Sequence, residues 1–419
     1  MSKSDGAGES AGGGVGGGAS GGVFYGWIVV AAAHVVLFTI FGVAYSFSSF
    51  FGALQTEFAA NRAQTSFAFA LSVFLYVAVG IGAGVIADRT HVRKVVGFGI
   101  VALALGMFFA ARVSSLTWFY VAYGLGVGIG VGCAYVPAIA AVQPWFVRRR
   151  GLAAGIASAG IGLGTLIGPL AAAALIEHIG WRDTLTWFAA ATLLLGAAAL
   201  WLEKSPQAKG LYPDNDPAAQ NNLAISGMTF REAIATREFR LFFLALLAMS
   251  AAQFMPFVHL ARHALDRGFT LAQGALLLGV IGIGSFVGRF FLTGVADRLG
   301  NRNMLAASYA GMSVAFAWWW LTLALPPSLI ALGVFAFVFG SSYGAMVGVC
   351  PPLCMAYFGG KSLSGLIGAL YFAAGIGSLF APTFAGWMYD VSQSYAVPLV
   401  VAVLANALAT WIALRLPAA

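Results

Sequence analysis

GVIGIGSFVGRFFLTGVADR, residues 279–298, carries the two features that decide the fold. Apart from Arg289, it is free of charge as far as Ala296, within a run over 271–296 that is long enough to span a bilayer. Crossing a hydrocarbon layer about 30 Å thick takes roughly 20 apolar residues in a helix. The stretch then ends in Ala296-Asp297-Arg298, where charge marks the exit from the membrane.

That ending occurs twice. Ala87-Asp88-Arg89-Thr90-His91-Val92-Arg93 precedes Ala296-Asp297-Arg298-Leu299-Gly300-Asn301-Arg302 by 209 positions. Gly155, Gly162, Gly164 and Pro169 recur as Gly368, Gly375, Gly377 and Pro382 at an offset of 213. The chain therefore reads as two related halves.

Working outward, similar apolar runs fill the 419 residues almost end to end. Sixty per cent are hydrophobic, 9% are charged and the mean hydropathy is +0.89, whereas a soluble domain carries roughly 25% charge. Barrel strands would alternate polar and apolar residues, so continuous apolar runs predict helices. The expected fold is an all-α membrane protein with twelve transmembrane helices in two pseudo-symmetric six-helix bundles. Spans are placed at 24–53, 64–87, 95–112, 116–142, 151–176, 184–202, 240–262, 271–296, 303–323, 327–350, 362–388 and 395–416.

The Gly- and Ser-rich stretch 1–22 predicts a flexible tail without a cleavable signal peptide. The expected halves are 23–202 and 240–419, joined by a cytoplasmic loop over 203–239, the one long polar stretch in the body of the chain. With the N-terminus inside, sixteen Lys and Arg face the cytoplasm, five face out and one lies within a span. Both termini are thus expected in the cytoplasm of a cell whose inner membrane holds the protein. The net charge of +8 is scattered over short loops, which reports orientation and not a nucleic-acid partner. Cys133, Cys350 and Cys354 have neither metal-ligand nor disulfide spacing. Neither cofactor nor metal is expected, and no nucleophile or acid/base constellation suggests an enzyme.

The parallel repeat resembles the major facilitator superfamily over essentially the whole chain. Its loop after the second helix is matched by Gly84, Asp88, Arg89, Arg93 and Lys94, with His91 in place of the usual turn glycine. An acid at a helix end beside cations can latch two helices in one bundle arrangement and release them in another. Asp88, Arg89, Arg93, Asp297, Arg298 and Arg302 are the gating candidates, a plain solvated cluster being the alternative. Gly160, Gly164 and Gly168 bare one face of the fifth span for close helix packing.

Arg289 is the one charge deep in a span, about 12 Å from its cytoplasmic end at Asp297. Inserting it costs about 3 kcal/mol even on the lenient scale. All 14 carboxylates fall in tails, loops or helix ends, so an anionic substrate is the expected counter-charge. A guanidinium offers two parallel donors to a carboxylate at any physiological pH. The alternative is that it bonds backbone carbonyls or snorkels to the interface.

The stretch from Trp145 to Gly160 resembles the fifth-helix signature of the monocarboxylate transporters and of the bacterial oxalate/formate antiporters, and Tyr25-Gly26-Trp27 is similar to their opening motif. The resemblance implies that Arg289 binds a substrate carboxylate and suggests coupling to protons. Animal monocarboxylate transporters carry an aspartate one turn before that arginine and a lysine in the first helix. Here Ser285 and Tyr45 stand instead, and Ala374 is near the place of the oxalate carrier's second cation. One buried positive charge suits a monoanion.

Tyr135, Tyr343 and Tyr371 lie level with Arg289 and are candidate ligands together with Ser285, packing being the alternative for each tyrosine. His34, at the same depth, is the candidate proton-coupling group, or else a neutral hydrogen-bonded histidine. His259 and His263, near the outer end of the seventh span, read as surface residues.

The predicted function is secondary transport of a small organic anion, most simply a monocarboxylate, by a monomer in a lipid bilayer. Rivals are a drug or metabolite/proton antiporter, an oxalate/formate-type exchanger, and a membrane receptor that senses an anion without moving it. The antiporter reading draws on Gly155, Gly164, Gly168 and Pro169, but lacks the motif's final glycines, Ala172 and Ala173 being there instead, and an embedded acid.

Overall fold

The structure is a computed structural model that describes residues 24–217 and 227–417. The N-terminal tail expected over 1–22 lies outside the described residues. Among the described residues, ten segments are long and apolar enough to cross a membrane. One of them, Gly151–Trp201, is two antiparallel helices, because Gly180 reverses the chain at φ 78, a backbone region that side chains with a Cβ rarely enter. Asn301–Thr322 supplies the remaining pass, making twelve.

The first bundle consists of α1 (Tyr25–Phe58), α2 (Arg62–Arg89), α3 (Val92–Ala110), α4 (Leu116–Trp145), α5 (150–179) and α6 (181–201). The second consists of α7 (Arg237–Asp266), α8 (Leu271–Ala296), α9 (Asn301–Thr322), α10 (Leu329–Phe358), α11 (Leu363–Ser392) and α12 (Ala396–Ala413). Several spans run a turn beyond the ends read from hydropathy: α1 reaches Phe58, α7 reaches Asp266 and α11 reaches Ser392. These extra turns carry Glu57, Asp266 and Asp390, acids that neighbouring helices satisfy.

Helix starts repeat between the halves as the sequence motifs do. Asn61 caps α2 in a box with Gln64, and Thr270 caps α8 in a box with Gln273; each box satisfies two of the orphan amides at a helix start. Ser115 caps α4 and Ser328 caps α10.

Packing inside the first bundle depends on missing side chains. A Cβ on Gly164 would stand 2.4 Å from Phe38 O, and one on Gly168 would stand 2.2 Å from Gly42 O, so α1 and α5 meet backbone to backbone. The bundles meet along two seams. At one, α2 packs on α11, with Phe74 and Phe372 ring centroids 6.3 Å apart. At the other, α5 packs on α8, where a Cβ on Gly162 would come 3.1 Å from Gly282 O. Large apolar side chains such as Phe98, Leu194, Phe291 and Leu404 lie exposed on the outside, as a bilayer requires.

The starts and ends of the described segments gather at one face, here termed the loop face. There Tyr357 Oη donates to Pro417 O at 2.8 Å, Tyr25 Oη donates to Trp201 O at 3.1 Å, and Lys209 sits 4.6 Å from the Tyr25 ring centroid. Toward the opposite face the central helices are dry: Phe47, Phe50, Phe51, Leu54, Phe254 and Val258 are buried. On the loop side, Arg289, Tyr135, Tyr343 and Tyr371 are only half-buried. The space between the bundles is therefore closed toward the opposite face and less tightly filled at the level of Arg289.

Candidate functional site

Arg289 lies in a single wide turn, Gly288–Leu292, of π type within α8. Such turns disturb the usual register and often mark functional positions. Glycines fix its surroundings: a Cβ on Gly288 would be 2.0 Å from Ser341 O, and one on Gly344 would be 2.1 Å from Ser285 O. Close contact of α8 with α10 on that side leaves the guanidinium directed to the other bundle, where Nη1 donates to Ser158 O of α5 at 3.3 Å. Phe291, two positions on, is exposed on the lipid side. Arg289 thus spans the seam between the halves; of the two alternatives to anion binding it makes the bond to a backbone carbonyl and does not snorkel outward.

Five tyrosines share this space. Arg289 is within electrostatic reach of Tyr45, Tyr135 and Tyr371, and Tyr343 is within reach of Tyr45, Tyr76, Tyr135 and Tyr371. Phe41 braces the Tyr135 ring edge-on at 5.1 Å, and Phe339 stacks on Tyr343 at 6.2 Å. The three tyrosines expected from their depth therefore come together with Arg289. Two further tyrosines outside the expected set share the space: Tyr45, which stands where relatives have lysine, and Tyr76. Both lie nearer the opposite face than a count from the loop ends reaches, and both are buried, at 3% and 9% exposure.

Ser285, one turn before Arg289, is buried against α10. His34 faces the same side of α1 as Phe41 and Tyr45, and its Nδ1 donates to Ile156 O at 2.7 Å. Its bond and that of Arg289 end on neighbouring positions of α5, so both side chains hold the same turn of that helix.

The gating candidates divide. The side chains of Asp88 and Asp297 lie outside the described residues. Arg89 and Arg298 are exposed at the loop face. Arg93 pairs with Glu203 at the end of α6, and Arg302 donates to Leu416 O after α12 at 3.1 Å. These are the same joint in each bundle, and neither crosses between bundles.

The ion pair that does cross lies at the opposite face, where counting basic residues had treated Arg62 as part of an outer loop. Arg62, 6% exposed, donates from Nη1 and Nη2 to Asp266 at 2.7 and 2.9 Å. Its guanidinium also bonds Tyr395 Oη at 2.6 Å and lies 3.5 Å from the Tyr389 ring centroid. Asp390 of α11 accepts from Arg62 N and Ala63 N, both at 3.0 Å, placing an acid from one bundle at a helix N-terminus of the other. Tyr395 passes the chain to His259 Nδ1 at 3.1 Å, and His259 Nε2 donates to Pro382 O at 2.8 Å. The surface reading of His259 and His263 is corrected: they are 0% and 5% exposed, because helices of both bundles cover this end of α7. Sequence reading had only one hint of this, the unusual density of Arg, His and Asp at the end of α7.

Comparison with known proteins agrees with this architecture. The pattern of the Major Facilitator Superfamily matches residues 33–360. Monocarboxylate transporter 12 of Mus musculus is 26% identical over 400 residues, covering 88% of this chain and 81% of the relative. Monocarboxylate transporter 11 of Homo sapiens is 29% identical over 390 residues, covering 88% and 78%. The crystal structure of a D-xylose-proton symporter superposes with a TM-score of 0.75 at 14% identity, covering 94% of this chain and 98% of that one.

Proposed function

The chain belongs to the Major Facilitator Superfamily, and from that premise we propose that it is a secondary transporter that moves a small organic anion, a monocarboxylate, by alternating access. The observation that carries this reading is the position of Arg289, a permanent cation on the seam between the bundles, half-buried and within electrostatic reach of Tyr45, Tyr135 and Tyr371. A carboxylate placed there would accept parallel bonds from the guanidinium and further bonds from Tyr135, Tyr343 or Tyr371. Both bundles would then hold the same anion, so its arrival or departure biases their relative position. The names of the relatives support the substrate class.

With the loop face in the cytoplasm, as the distribution of basic residues favours, the described state is inward-facing in a cytoplasmic membrane. The bundles, taken as 23–202 and 240–419, rock about the seams as Arg62 and Asp266 part and the loop-face clusters around Asp88 and Asp297 close. The unit of transport is the monomer. For proton coupling, His34 is the group at the level of the site, and uptake should then accelerate under an inward proton gradient.

The test is uptake of labelled short monocarboxylates into proteoliposomes. Arg289→Lys keeps the charge but loses the paired donors, and should lower uptake at limiting substrate on the order of tenfold to a hundredfold, the loss of one or two charge-assisted bonds. Unchanged affinity in that variant would remove Arg289 from the site.

A further inference from the structure

The central site has a boundary toward the opposite face that is made of two rings. Tyr45 of α1 and Phe257 of α7 stack across the seam, with centroids 4.4 Å apart and planes 17° from parallel. Both helices break beside them: α1 is interrupted at Ser46, whose Oγ donates to Val43 O at 2.7 Å, and α7 at Phe254, just before Pro256. The breaks turn the rings inward and toward one another.

The pair separates two environments. Beyond it, Phe47, Phe51 and Val258 are sealed at 0% exposure. Below it, Tyr135, Tyr343 and Arg289 are half-buried. Neighbouring rings hold the plate from every side. Phe41 lies 5.5 Å from Tyr45, while Phe339 and Tyr343 lie 6.1 and 6.0 Å from Phe257. Tyr45 also falls within the field of Arg289.

We infer that Tyr45 and Phe257 are the specificity-determining roof of the anion site and set the longest acid that it accepts. This rests on the carboxylate reading of Arg289. A guest anchored there by its carboxylate extends its tail into the space that this stack closes, so the tail must end short of the rings. Among unbranched acids the site therefore favours short members, and removing a ring adds room for methylenes where apolar contact is already available.

The experiment measures uptake of straight-chain monocarboxylates from acetate to octanoate into proteoliposomes, with wild type, Tyr45→Ala, Phe257→Ala and Tyr45→Phe. Either alanine variant should move the preferred acid to greater length, with the long-to-short ratio rising on the order of tenfold per methylene admitted. Tyr45→Phe keeps the ring and should keep the wild-type length profile. An unchanged profile in both alanine variants that still transport would overturn the inference. If the alanine variants melt before assay, Tyr45→Leu and Phe257→Leu leave a smaller apolar side chain, and an unchanged profile there counts equally against it. Wild-type protein that is folded but takes up none of these acids would overturn the carboxylate reading itself, and this inference with it.

Discussion

The opposite face and the loop face meet the same problem, two bundles that must part and rejoin, with different chemistry. At the opposite face a buried guanidinium joins the bundles: Arg62 with Asp266, Tyr395 and Tyr389, and Asp390 on the amides that begin α2. At the loop face, among the described residues, the ion pairs of Arg93 with Glu203 and of Arg148 with Asp216 and the bond of Arg302 to Leu416 O tie each bundle to itself or to the linker. One end is latched across the seam, while the other is braced internally so that it can swing as a unit. The difference teaches that the sequence repeat governs structure within each bundle, whereas the described contact between the bundles at the opposite face is made by residues that have no counterpart in the repeat.

Breaking the latch should have the largest effect on this contrast. Removing one member of a buried ion pair costs about 3–5 kcal/mol, since the other charge is left in a dry place. Here that cost falls on the closed opposite face alone, because opening rehydrates both partners. Arg62→Ala should therefore shift the population toward the outward-open state on the order of a hundredfold or more. Leu54, 0% exposed behind the latch, provides the readout. In a background lacking the three native cysteines, Leu54→Cys should react faster with an impermeant maleimide added from the opposite face once Arg62 is replaced. Equal labelling rates with and without Arg62 would show that the closed face is held by apolar packing alone.

Tyr395→Phe tests the same end more gently. It keeps the ring against Tyr389 and His263 but removes the hydroxyl that links Arg62 to His259. Loss of a hydrogen bond to a charged group is worth about 1.5–3 kcal/mol, so labelling at Leu54→Cys should rise roughly tenfold to a hundredfold, below the Arg62→Ala value. A larger increase than in Arg62→Ala would place the centre of the latch at His259 and not at the ion pair.

What sequence made legible follows from the range of each physical effect. Apolar length, the repeated Asp-Arg loops and the matched glycines are local patterns, and they sufficed for twelve helices in two bundles. Arg289 stood out because a charge in an apolar run carries its cost wherever the helix packs. Tyr135, Tyr343 and Tyr371 were reachable by counting turns from one membrane face. Tyr45 and Tyr76 were not, since they form the far side of the space and that count stops short of them. Arg62, His259 and His263 looked like ordinary helix-end residues. Their burial is imposed by helices of both bundles, including α2, α7 and α11, and no periodicity within one helix records that.

The smallest expected effect lies at the loop face, and its smallness is what sharpens the comparison. Arg93 pairs with Glu203 inside one bundle; Glu203 is largely buried, but the Arg93 side chain is 42% exposed, so water screens part of the attraction and the pair contributes on the order of 1 kcal/mol. Whatever Glu203→Gln removes is removed in both transport states, because the joint between α3 and α6 moves as a piece with its bundle. The variant should lower the melting temperature by a few degrees at most, as a loss of about 1 kcal/mol does in a protein this large, and leave labelling of Leu54→Cys within about twofold of its parent. A shift in labelling comparable to that of Arg62→Ala would mean that Glu203 changes partner between states, and the loop face would then have a latch of its own.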